Sequence, residues 1–188
     1  MARIPYPDPD AAPEPVREAL AALPPLNIFR MIAHAETAVR PFLAFGGAIL
    51  SRLELDPLLR ELVILRVARL THADYEWVQH AAIARAVGAS DQQVQALEHD
   101  DLHSEAFDER TRALLTFTTR AVTTERCDDE AFQKMVDRFT PREIVEVLLT
   151  VGQYTMVARI MTQLDLELDE ALGPDVLAAA ARGRAEQR

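Results

Sequence analysis

The stretch ELVILRVARLTHADYEWVQH, Glu61 to His80, decides how this chain folds. Apolar residues recur at three- and four-residue intervals on both sides of THAD, the period of a helix rather than a strand. Two helices joined by a short turn form an antiparallel hairpin, with Asp74 expected to cap the second helix at Tyr75. Glu61 interrupts an apolar run that continues as Leu62, Val63, Ile64 and Leu65. A carboxylate pointing inward there is costly unless paired, and His80 on the following helix is the expected partner.

The same periodicity extends outward from this hairpin. Helices are predicted near 14–23, 26–34, 36–52, 56–71, 75–87, 91–98, 108–124, 129–138, 141–168 and 174–184, with no convincing strand pattern and only six glycines in the chain. The fold class is therefore an all-α bundle. Asp56 before Pro57, Ser90 before Asp91 and Thr140 before Pro141 read as N-caps, and Gly88 as a helix stop. DPLLRELVILRVAR echoes DERTRALLTFTTRA, with Asp56, Arg60 and Leu62 matching Asp108, Arg112 and Leu114, as repeated helical hairpins would. The 141–168 helix is apolar on more than one face and belongs at the bundle centre or at a subunit contact. Trp77, Phe42, Phe45, Phe117, Phe132, Met156 and Met161 read as core.

Three parts follow from this pattern: an N-terminal arm over 1–13, a helical domain over 14–172, and a C-terminal helix and tail over 173–188. The first fifteen residues hold five of the eleven prolines. Such a segment does not fold by itself, so its order must come from docking, with Ile4 and Tyr6 as anchors and a neighbouring subunit as the expected surface.

Composition excludes several functions. A formal net charge of −10 and a pI near 5.0 disfavour a nucleic-acid partner, which needs clustered Lys and Arg. The single cysteine, Cys127, rules out an intrachain disulfide and any cysteine-based zinc cluster. The first residues lack the pattern of a signal peptide, and no run reaches the roughly 18 consecutive apolar residues of a membrane span. The expectation is a cytoplasmic protein with no membrane partner.

Glu76 and His80 fall one helical turn apart on one face. A carboxylate at that spacing orients an imidazole and exchanges a proton with it, the requirement for general acid/base chemistry near neutral pH. The plainer reading is a surface pair worth roughly 0.2–0.5 kcal/mol to the helix. His72, Glu76 and His80 form an alternative metal-ligand set, opposed by the cap at Asp74, which leaves His72 in the turn. Tyr75 and Trp77 flank Glu76 and are candidates to wall a substrate pocket, with Tyr154 supplying a hydroxyl. Arg85, and also Arg60, Arg66 and Arg159, are candidates to hold an anionic substrate.

The pattern LLRELVILRVARLTHADYEWVQHAAIARAVGASDQQVQAL resembles the carboxymuconolactone decarboxylase superfamily, which includes the alkylhydroperoxidase D proteins. The resemblance spans about residues 40–125 and implies an all-helical fold assembled as trimers or hexamers. In the peroxidase branch a Glu is followed, after eleven residues, by Cys, two residues, Cys, three residues and His. Glu61 and His80 match that pattern, whereas the cysteine positions fall on Ala73 and Glu76, which removes both thiols. Cys127 lies among acids in TTERCDDE and does not replace them. The decarboxylase branch has a Glu four residues before a His, as Glu76 and His80 stand here.

These readings lead to a cofactor-free acid/base enzyme acting on a small organic acid, with Glu61, Glu76 and His80 catalytic. The alternative is a non-catalytic binding or scaffolding protein, which predicts that Glu61 and His80 lie apart with no cavity around them. A peroxidase ranks third.

Overall fold

The computed structural model describes residues 1–8 and 11–182, and the described chain is helical with no strand. The order is α1 (Glu14–Ala21), α2 (Asn27–Ile32), α3 (Glu36–Arg52), α4 (Pro57–Leu70), α5 (Asp74–Ala86), α6 (Asp91–Glu98), α7 (Glu109–Thr123), α8 (Asp129–Val136), α9 (Pro141–Gln163) and α10 (Pro174–Arg182). The all-α expectation holds for the described residues, and every predicted helix is present with small shifts at its ends.

The centre of the bundle is α4. Asp56 accepts hydrogen bonds from the Leu58 and Leu59 amides, Pro57 opens the first turn, and every residue from Leu59 to Ala68 is buried. A helix apolar all round has no solvent face, and α4 accordingly packs against α5, α6, α7 and α9. Of the two places expected for the 141–168 helix, the bundle centre or a subunit contact, the centre is occupied by α4. Helix α9 lays one side on α4 and turns Val145, Leu148, Leu149 and Met156 outward. It is long and apolar enough to cross a membrane by composition, at a mean hydropathy of 1.4, but 56% of that window is buried within the chain. Phe45, Phe132 and Met156, read as core, are also exposed, whereas Phe117 and Met161 are buried.

Helix α9 ends at Gln163 rather than Leu168, because Asp165 takes a left-handed backbone conformation at φ 47°. Residues 164–173 then run without helix to α10. The N-terminal arm, expected on a neighbouring subunit, docks here on this segment of its own chain. The Arg3 amide donates to the Leu164 carbonyl at 2.9 Å, the Ala2 amide to Glu167 at 2.9 Å, and the Tyr6 hydroxyl to Glu167 at 2.7 Å. The Arg30 guanidinium stacks 4.3 Å above the Tyr6 ring. Ile4 remains 39% exposed within the chain. Helix α10 packs on α3 and α5, so the expected C-terminal helix belongs to the bundle, while residues 183–188 of the expected tail lie outside the described residues.

The sequence echo has local counterparts. Asp56 and Asp108 both cap helices, and Arg60 and Arg112 both donate to backbone carbonyls outside their own helices. Ser90 with Gln93 and Thr140 with Glu143 each complete a reciprocal capping box. Asp74 differs from its expected role: it is the first residue of α5, and the preceding Ala73 offers no side-chain cap.

Candidate active site

Pairing of α4 with α5 brings Glu61 against His80 in the interior. Glu61 is 0% exposed; its Oε1 accepts from Arg60 Nε at 2.9 Å and Nη2 at 2.8 Å, and its Oε2 lies 2.7 Å from His80 Nδ1. Arg60 is buried as well and donates its Nη1 to the Leu50 carbonyl at 2.8 Å. A carboxylate ion-paired to arginine only accepts hydrogen bonds, which places the proton of the His80–Glu61 contact on Nδ1. Nε2 is then the ring nitrogen left for proton exchange. The ring also meets the Tyr154 ring edge-on, with centroids 4.8 Å apart and planes at 86°.

Glu76 sits one turn before His80 and is 0% exposed, yet neither of its carboxyl oxygens has a hydrogen-bond partner among the described residues. Burial first, and then the nearby charge of Glu61, push its pKa well above the usual value, which favours its protonated form. The two carboxyl groups thus have different surroundings: Glu61 is paired with Arg60 and His80, whereas Glu76 has neither a cation nor a donor beside it among the described residues.

Glu76, His80 and Tyr154 line one cavity of about 810 Å³, bounded by α2, α3, α5 and α9, with Val176 of α10 at its wall. That volume suits a small-molecule ligand. Burial and the two carboxyl groups also raise the Tyr154 pKa, keeping its hydroxyl protonated.

The other predicted site residues separate. Tyr75 lines the cavity, but its hydroxyl donates to Asp169 and is committed to holding the 164–173 segment. Trp77 packs on the main core instead of the cavity wall, which corrects its assignment to substrate binding. Arg85 is likewise corrected: it is a surface residue paired with Asp91 at 2.8 Å. Arg66 binds Thr119 and Asp100, and Arg159 is exposed. His72 lies exposed in the turn at φ 55°, away from buried Glu76 and His80, and no three-residue His, Cys, Asp or Glu set among the described residues is arranged to hold a metal. Cys127 lies outside the cavity, its thiol pKa raised by burial and by Asp128.

Sequence reasoning missed two residues. Arg60 was a candidate for the substrate but serves Glu61, and the signal was present as adjacent opposite charges inside an apolar helix. Gln153 lines the cavity with its Oε1 buried and unpartnered; a lone amide in an apolar helix gives no local signal of that role.

This geometry defines an all-helical bundle with a buried Glu61–His80 pair beside a cavity. Residues 36–102 match the carboxymuconolactone decarboxylase family, a segment that carries Glu61, Glu76 and His80. An uncharacterized peroxidase-related protein with an alkylhydroperoxidase AhpD core, from Ralstonia eutropha JMP134, shares the fold at a TM-score of 0.78 and 20% identity, covering 90% of this chain and 93% of that one. A peroxidase-related protein from Silicibacter sp. TM1040 is similar at 0.72 and 19%, covering 89% and 90%. The debrominase Bmp8, in complex with 2,3,4-tribromopyrrole, is similar at 0.72 and 18%, over 100% of both chains. No curated protein matches by sequence. The family match is confined to residues 36–102, and the solved structures show that the chain shares the AhpD-like helical fold.

Proposed function

We propose that the protein is an acid/base enzyme of the decarboxylase-like kind, catalysing decarboxylation, isomerisation or lactone chemistry on a small organic molecule. One observation carries this reading: a buried carboxyl group whose protonated form is favoured, Glu76, and an imidazole oriented by Glu61, His80, line the same cavity. Glu76 donates a proton toward a developing oxyanion, and His80 Nε2 takes one from carbon or oxygen. Glu61 and Arg60 fix the tautomer of the ring and balance the charge it gains. Thiolate chemistry at this position lacks its nucleophile, since Ala73 and Glu76 occupy the two cysteine positions.

The non-catalytic alternative expects Glu61 and His80 to lie apart. Their 2.7 Å contact beside a cavity favours catalysis. A metabolite screen of the purified protein should yield a turnover substrate. His80→Ala and Glu76→Gln should then each lower kcat by about 10²-fold or more. Unchanged turnover in both variants would refute the assignment.

A further inference from the structure

The charges around the cavity are distributed unevenly. The lining arginines, Arg40 and Arg52, are both solvent-exposed, and Arg40 is held by Glu18 at 2.9 Å and by the Pro15 carbonyl at 3.2 Å. The buried cation nearest the acid, Arg60, is engaged by Glu61 and Leu50. The Nδ1 proton of His80 is also given to Glu61. A ligand carboxylate brought to Glu76 would meet the negative charge of Glu61 without a counter-ion of its own, and a buried charge without a partner is strongly disfavoured. Leu26, Phe42, Leu43, Ile83, Val157 and Met161 give the walls an apolar character.

Beside His80 Nε2 and the Tyr154 hydroxyl, two buried polar groups break that surface and have no partner among the described residues: the Glu76 carboxyl and Gln153 Oε1, both in residues at least nine-tenths buried. The first offers an O–H, and the second offers only an acceptor. From this arrangement we infer that the site takes an uncharged, largely apolar carbonyl compound that also carries a hydroxyl, its carbonyl on Glu76 and its hydroxyl on Gln153. This rests on the acid/base reading of the same site, replaces the anionic acid expected from sequence with a neutral molecule, and so favours isomerisation or lactone chemistry over decarboxylation there.

Matched probes test it: the methyl esters of 4-hydroxybenzoic, 4-hydroxycinnamic and 3-(4-hydroxyphenyl)propionic acids, each against its free carboxylate, titrated by calorimetry at pH 7 into the full chain. At least one ester should bind about tenfold or more tighter than its carboxylate. Glu76→Gln keeps an N–H donor and should hold ester affinity within about threefold, whereas Glu76→Leu should lose about tenfold. Carboxylates binding as well as their esters, no ester binding, or Glu76→Leu binding like the native protein would each overturn the inference. Carboxylate-selective binding together with His80-dependent turnover would overturn it and leave the acid/base reading standing. Ester-selective binding with turnover indifferent to His80→Ala would do the reverse.

Discussion

The raised pKa of Glu76, buried without a hydrogen-bond partner among the described residues, makes its influence on stability pH-dependent. Between pH 4.5, its ordinary value, and its raised pKa, the folded protein holds a proton that the unfolded chain has released. Stability therefore falls as pH rises through that window, by about 1.4 kcal/mol per pH unit. Glu76→Gln removes the titration, so its stability relative to the native protein should increase with pH when denaturant unfolding is followed at pH 5, 6 and 7. A constant difference would contradict a raised pKa. Arg60 poses the opposite case. Truncation by Arg60→Ala leaves Glu61 charged in the interior, and should cost about 3–5 kcal/mol, whereas Arg60→Met combined with Glu61→Gln should recover much of that loss. Equal losses in the single and double variants would show that the ion pair is not what holds Glu61.

The clamp of the arm on residues 164–173 depends on Glu167. The Tyr6 hydroxyl bond first, and then backbone amides including that of Ala2, hold its pKa down to about 2. A depressed carboxyl contributes above its ordinary value of 4.5 and loses that contribution as pH falls toward 2. Tyr6 is affected in the reverse direction, its pKa raised to about 12 by burial and by Glu167. Backbone ¹⁵N relaxation should show Arg3 to Tyr6 ordered at pH 7, and both acidification through that window and Glu167→Ala should release them. The 164–173 segment has a second tether, because Gln79 donates to the Asp169 and Glu170 carbonyls at 3.3 and 3.0 Å and accepts from the Leu172 amide at 3.2 Å. Arm release should thus leave this segment in place. Loss of order there on arm release would show that the arm, rather than α5, holds it.

The outer face of α9 bears on assembly. Val145, Leu148, Leu149 and Met156 are 42–55% exposed along one helix, with Phe132 and Val136 of α8 and Phe45 of α3 also exposed. Apolar faces of this kind favour self-association. We expect a homo-oligomer, a trimer or hexamer as the family resemblance implies, with α9 in the contact. Light scattering should give a mass that is a multiple of the 21.0 kDa chain. Leu148→Glu with Leu149→Glu should yield a monomer with unchanged helicity, because neither side chain supports the chain's own core. A native monomer at micromolar concentration would refute assembly, and an unchanged oligomer in the double variant would move the contact elsewhere.

The sequence by itself determined the helices and their starts, since periodicity and the side chains of Asp56, Ser90 and Thr140 act within a few residues of each other. It also pointed to Glu61, Glu76 and His80, because a carboxylate in an apolar helix requires a reason that its neighbours cannot supply. What it could not decide were relations across the bundle. Trp77 and Tyr75 are near neighbours on α5, yet helix rotation turned one to the core and the other to the cavity. Arg85 went to the surface, Arg60 to Glu61, and the arm to Glu167 of its own chain. Gln153 reached the cavity from a helix more than seventy residues beyond His80. Those outcomes depend on which helix faces meet, and that is set by packing summed over many small contacts between segments distant in the chain.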